Sequence, residues 1–174
     1  YEPTNIHEVL ERVRSLLLAE SPAGLDKDKV ISVRRDYDTS LPEIIGDREK
    51  LIQAVLNIAR NAVQAMQGQG KGGEIVFRTR AERQVTLAKK RYRVAIKLQI
   101  IDNGPGIPAG IRERIFYPLV SGREGGSGLG LTLAQTFITQ HHGMVECESE
   151  PGRTCFTILL PIESSLMKGQ TIKQ

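Results

Sequence analysis

Between Asn5 and Leu17 the apolar residues Ile6, Val9, Leu10, Val13, Leu16 and Leu17 recur at helical spacing, which predicts an amphipathic helix. Pro22 to Lys29 breaks the pattern as a turn, and Val30 to Tyr37 reads as a short strand. After Leu41-Pro42, Gly46-Asp47 opens a long helix that runs to about Met66, with Asp47 as its N-cap. It stops in the glycine-rich loop 68–73. Glu74 to Arg80 and Arg91 to Asp102 alternate apolar and polar positions as half-buried strands do, and a basic connector joins them. A further helix is expected from about Gly128 to His142, with Gly143 as its C-cap. Met144–Glu150 and Arg153–Pro161 then make a hairpin around Pro151-Gly152, and from Ser164 the chain is polar and expected to fray.

The order helix, strand, helix, two strands, glycine-rich loop, helix, two strands predicts an α/β fold. It is a two-layer α/β sandwich whose helices gather on one face of the sheet. No internal repeat breaks the chain, so residues 1–163 form one domain and 164–174 a polar tail.

The chain has 174 residues, enough to bury about 70% of its unfolded surface without a staple. No apolar run reaches the roughly 20 residues of a membrane helix, so no membrane segment is expected in this chain. Its first residue, Tyr1 rather than Met, leads to the expectation of a piece of a longer protein. The net charge of +4 is mild and gathers at Lys89, Lys90, Arg91 and Arg93, where no aromatic residues are arranged to stack bases. That pattern is a solvated hairpin edge in preference to a nucleic-acid surface. A turn at Pro151-Gly152 sets Cys147 opposite Phe156 and turns Cys155 to the other face of the sheet, which argues against a disulfide. Reduced thiols and a cytoplasmic location follow as expectations.

Three stretches carry candidate chemistry. On the long helix Gln53, Asn57, Asn61 and Gln64 form a narrow amide stripe beside the apolar face. Asparagine is a poor interior helix residue. The stripe is either a solvated face or a set of hard, neutral oxygen ligands suited to Mg²⁺ that also carries phosphate. The second stretch is Asp102-Asn103-Gly104-Pro105-Gly106-Ile107-Pro108, which ends an apolar strand. Either Asp102 closes a simple Asx-turn, or its carboxylate accepts a hydrogen bond from an exocyclic amine, which would tell adenine from guanine. The third is Gly125-Gly126-Ser127-Gly128-Leu129-Gly130-Leu131, whose side-chain-free backbone at a helix start suits an anion. It has no G-K-[ST] ending, and its glycine spacing is not that of a dinucleotide fingerprint, so both common phosphate-loop folds are excluded.

In this order "NIARNAVQA", "DNGPGIP", "IFYPLVSGRE", "GGSGLGL" and "EPGRTCFTILLP" resemble the boxes of the ATP-binding domain of sensor histidine kinases. That group also includes gyrase B, MutL and the Hsp90 chaperones. The resemblance runs from about Thr4 to Pro161, and "YPLVSGREGGSGLGL" is similar to the nitrogen-regulation branch. It implies the Bergerat fold, a mixed sheet with helices on one face and an ATP lid, here Phe116 to Gly126 with Leu119 as its anchor. It implies Asn57 and Asn61 on Mg²⁺ and phosphate, and Asp102, Gly104, Gly106 and Ile107 around adenine. Ser127, Gly128, Leu129, Gly130 and Leu131 would meet the phosphates, and Gln64 and Thr154 complete the implied nucleotide site. Arg123 is either an exposed loop residue or the lid cation on the γ-phosphate. Gln64 stands where many relatives carry Lys or Arg, so that cation is sought at Arg60 or Arg123.

The implied activity is transfer of the γ-phosphate of ATP to a histidine on a separate dimerisation domain. A response regulator and a PII-type signal protein are the further implied partners. His7, His141 and His142 lack the context of a phospho-acceptor and are expected to be structural or exposed. A water-activating clamp ATPase would place a glutamate where Asn57 stands, and a pure protein-binding module is the remaining alternative.

Overall fold

The computed structural model describes residues 1–20, 30–112 and 130–168. Its elements are β1 (Glu2–Thr4), α1 (Ile6–Ala19), β2 (Ile31–Asp36), β3 (Ile44–Gly46), α2 (Arg48–Gln67), β4 (Gly73–Leu87), β5 (Lys90–Asp102), α3 (Ala109–Arg112), α4 (Gly130–Gln140), β6 (Met144–Glu150) and β7 (Arg153–Pro161). The expected turn at Pro22–Lys29 and the expected lid both lie wholly outside the described residues.

Five strands form one sheet in the order β2-β4-β5-β7-β6. β2 runs parallel to β4, and the other neighbours are antiparallel, so the sheet is mixed. One face takes the apolar sides of all three long helices. Val9, Leu10 and Val13 of α1, Leu51, Val55, Ile58 and Met66 of α2, and Ala134 and Ile138 of α4 are buried there. They meet Ile75 and Phe77 of β4, Ile96, Leu98 and Ile100 of β5, and Phe156, Ile158 and Leu160 of β7. The alternate residues of the same strands point away, as a period of two requires. This is the two-layer sandwich expected from the element order.

The N-caps form as the residue types dictate. Asn5 accepts from the His7 N–H, and Asp47 accepts from the Lys50 N–H at 3.1 Å. Cys147 pairs with Phe156 and Cys155 with Glu148, so the two thiols sit on opposite faces, and neither is in a disulfide.

Four local expectations give way. The basic connector is strand: β4 and β5 continue pairing to Leu87 and Lys90 around a tight turn. Ala88 and Lys89 take φ of 51° and 64° there, which neither residue type advertises. The helix expected to reach His142 ends at Gln140, and His142, at φ 61°, takes the left-handed position assigned to Gly143. Gly143 serves close approach instead, since a Cβ there would lie 2.4 Å from the Leu159 carbonyl oxygen. Finally, the chain does not fray at Ser164. The Ser165 hydroxyl lies 2.9 Å from the Val94 carbonyl oxygen and 2.7 Å from that of Ile162, and the Met167 N–H donates to the Arg91 carbonyl. This segment braces the outer arm of the β4–β5 hairpin, where Leu87, Tyr92 and Ala95 form a small core of their own.

Candidate functional site

The candidate residues meet at the end of the sheet where β4 begins, β5 ends and β7 begins. Asp102 is the last residue of β5, paired with Ile75 on one side and Thr154 on the other. It is 6% exposed. Burial holds its carboxyl above the usual carboxylate range, and a bond from the Gly104 N–H pulls it partly back. That bond, 2.9 Å to Oδ1, is the Asx-turn. It does not use up the carboxylate. Oδ2 has no hydrogen-bond partner among the described residues, and no partnerless side-chain oxygen there is sealed from solvent. Among the described residues the second oxygen therefore remains an open acceptor, and the turn and recognition readings are compatible.

The loop after Asp102 is pinned on both sides. Asn103 Oδ1 accepts from the Glu74 N–H at 2.8 Å, tying the loop to β4. The Ile107 N–H donates to Ser149 Oγ at 2.8 Å, and Ser149 and Thr154 share a buried hydroxyl bond of 2.7 Å. Gly106 has φ 89° and lies so close to the β6–β7 turn that a Cβ would sit 2.7 Å from the Glu150 carbonyl oxygen. A Cβ on Gly104 would lie 2.9 Å from both Asp102 Oδ1 and Met66 Cγ. The glycines thus keep a flat, shallow wall beside the carboxylate.

Met66 connects this wall to the amide stripe, since it belongs to the C-terminal end of α2. Asn57, Asn61 and Gln64 are half-buried beside the apolar face of the same helix, whereas Gln53 is exposed. The Asn61 Nδ2 donates to the Asn57 carbonyl oxygen at 2.8 Å. A carbonyl can accept only from the NH₂ end of the amide, so this bond leaves Asn61 Oδ1 unused. The side chain of Asn57 has no hydrogen-bond partner among the described residues. Two amide oxygens one turn apart are thus available to a hard cation or to polar ligand atoms. Among the described residues no cluster of His, Cys, Asp and Glu offers a rival metal site.

Gly130 opens α4, and Leu131 is buried in the core beneath it. Arg123, Ser127, Gly128 and Leu129 lie outside the described residues. The Arg60 guanidinium pairs with Glu20 at the end of α1, a half-exposed surface ion pair. His7 packs on Tyr37 with its Nε2 2.8 Å from Thr79 Oγ1, and His141 is buried, so neither is presented as an acceptor. His142 is exposed in a turn.

Ser149 and Asn103 hold the site loop and escaped the sequence reading. The only signal for Ser149 is its inward position in the alternation Glu148-Ser149-Glu150. A separate groove of about 680 Å³ runs along α1 between His7, Tyr37 and Arg48, near the opposite end of α2. Arg35 is paired there with Glu11 and Arg48 with Glu8, so both of the groove's carboxylates are engaged and the open carboxylate lies at the Asp102 end.

The chain as a whole is similar to known proteins. The sensory histidine kinase/phosphatase NtrB of Vibrio alginolyticus is 48% identical over 158 residues, covering 91% of this chain and 43% of that protein. The chain therefore spans less than half the length of that relative. Among solved structures, the mycobacterial sensor histidine kinase MprB aligns with a TM-score of 0.67 at 26% identity, covering 92% of this chain and 97% of the other. Full-length ShkA in complex with AMPPNP aligns at 0.69 with 25% identity, covering 91% of this chain and 30% of the other. The family described as histidine kinase-, DNA gyrase B-, and HSP90-like ATPase matches residues 46–164, a span that opens just before α2 and contains every residue of the site. This chain belongs to the histidine kinase-, DNA gyrase B- and HSP90-like ATPase family.

Proposed function

We propose that the domain binds Mg-ATP at the Asp102 end of the sheet and supplies its γ-phosphate to a histidine on a dimerisation domain of a longer sensor kinase. One observation carries the binding half: a buried carboxylate with one oxygen held by Gly104 and the other without a partner among the described residues, beside glycines that leave room for a planar base. An amine-bearing purine satisfies that oxygen, whereas a purine with a carbonyl at the same position would oppose two acceptors. Asn57 and Asn61 are the residues that would hold Mg²⁺ and phosphate oxygens. The ion, when bound, neutralises charge on the triphosphate. Thr154 acts through Ser149 by holding the loop at Ile107. Arg123, from the sequence pattern, is the proposed cation for the γ-phosphate.

The transfer half draws on the relatives' names and on the asparagine at position 57, where a water-activating ATPase needs a carboxylate. By the same likeness the full-length protein is a nitrogen-regulation kinase of NtrB type that works with a response regulator and responds to a PII-type protein, in the cytoplasm. Calorimetry with AMPPNP and with the matching guanine analogue tests the binding half, with at least tenfold preference for adenine expected from one mispaired polar group. Equal affinity for both bases contradicts it. Mixing the chain with the dimerisation domain and γ-labelled ATP tests transfer. Label on histidine is expected, and binding of ATP without any label rejects the kinase reading.

A further inference from the structure

His141 lies outside the nucleotide site, yet it is 4% exposed and both ring nitrogens are committed. Nδ1 lies 2.7 Å from the Phe137 carbonyl oxygen, one turn back on α4. Nε2 lies 2.9 Å from the Asp47 backbone nitrogen. A carbonyl only accepts and an N–H only donates, so the ring is neutral, with its proton on Nδ1 and its lone pair on Asp47. Burial favours the same form. Asp47 is the N-cap of α2, so this single ring ties the end of α4 to the start of α2.

The neighbours enforce the position. A Cβ on Gly46 would lie 2.9 Å from His141 Cδ2 and 3.0 Å from Nε2, so the strand preceding α2 is pressed against the ring. The Tyr1 ring also packs against it, tilted by 41° with ring centroids 5.1 Å apart. Lys50 of α2 reaches across to the Gln140 side-chain oxygen at 3.1 Å. From this joint the two helices run back side by side, sharing Leu51, Val55, Ile58, Leu131, Ala134 and Ile138 in one core. At about 1.5 Å per residue, Asn57 lies about 15 Å along α2 from Asp47 and Gly130 about 16 Å back along α4 from His141. The joint thus meters both halves of the phosphate side of the site to the same depth.

We infer that His141 is a positioning residue for nucleotide binding: its bond to the Asp47 N–H sets the axial register of α4 against α2, and so of the Gly130 backbone against the amides of Asn57 and Asn61. The inference rests on the nucleotide reading above. It concerns the phosphate side and not the base side, since Asp102 and its loop are held by β4, β6 and β7.

The test is calorimetry of the whole chain with Mg-AMPPNP and with adenosine, beside thermal melts. His141→Ala is expected to weaken Mg-AMPPNP by about tenfold, a sub-ångström misplacement effect, while adenosine affinity stays within about twofold. His141→Gln, which keeps an acceptor for the Asp47 N–H, should retain affinity within about threefold of the parent. Gly46→Ala pushes the ring from outside and should weaken Mg-AMPPNP selectively even where His141→Ala is too unstable to measure. Unchanged Mg-AMPPNP affinity in folded His141→Ala or Gly46→Ala overturns the inference, as does equal loss for adenosine or failure of His141→Gln to rescue. Failure of the parent chain to bind either ligand instead removes the nucleotide reading itself.

Discussion

Replacing Asp102 by Asn separates recognition from stability in one side chain. The carboxylate serves two donors in the nucleotide-bound account: the Gly104 N–H on Oδ1, at 2.9 Å, and the base amine on Oδ2. An amide has one acceptor oxygen, so Asp102→Asn can serve only one of them and points an NH₂ at the other. Loss of a hydrogen bond to a charged acceptor costs about 2 kcal/mol, which weakens binding roughly 30-fold. The free protein should respond in the opposite sense. The folded carboxyl titrates above its usual value because burial disfavours the charge. The unfolded chain therefore releases this proton first as pH rises, and native stability declines from the ordinary carboxylate range up to the raised folded value. Above that value the cost is fully present, and Asp102→Asn removes it. Melting at pH 7 should be unchanged or higher in the variant, with calorimetry showing the loss of AMPPNP affinity. Parent affinity should also fall as pH drops through the raised value, and the variant should lose that dependence. Affinity within threefold of the parent would refute the assignment of Oδ2, and a melting temperature several degrees lower would make Asp102 a structural residue.

Three further outcomes follow from the same geometry. Gly106→Ala forces a side chain into φ 89° with a Cβ 2.7 Å from the Glu150 carbonyl oxygen, so thermal melts should show a loss of about 5 °C or more. Ser165→Ala removes the brace on the hairpin arm, where each lost bond costs about 1 kcal/mol. It should speed hydrogen exchange at the Val94 amide without changing AMPPNP affinity. His7 and His141 are both held below the ordinary 6.5 chiefly by burial. The unfolded chain takes up these protons first, so stability should decline as pH falls from about 6.5 toward the lower folded values, and His141→Gln should flatten part of that slope in pH-dependent melts.

How much of this was legible follows the range of the interactions. α2 could be read whole because its signals are local: an Asp cap, an apolar face and an amide stripe at helical spacing. The β6–β7 register could be read because Pro151-Gly152 leaves one compact way to turn, and Gly152 takes φ 91°. The outer hairpin arm could not, because its turn places Ala88 and Lys89 in a conformation that glycine or asparagine normally marks. Strands β1 and β3 are three residues each, too short for a period of two to stand out. In the site, Asp102, Gly104 and Gly106 were visible as a strand end followed by turn residues. The pairing of Arg60 with Glu20 and the hold of Ser149 on Ile107 join residues about 40 positions apart, and no local pattern encodes them.

The central claim is that a purine is identified at Asp102 while amide oxygens on α2 face its phosphates. A crystal structure of the chain grown with Mg-AMPPNP tests this most directly. The account predicts the exocyclic amine of the base within about 3.2 Å of Asp102 Oδ2 and the side-chain oxygens of Asn57 and Asn61 directed at the ion or phosphates. A base seated in the groove beside His7 and Tyr37, or an Asp102 carboxylate with no contact to the nucleotide, would contradict it.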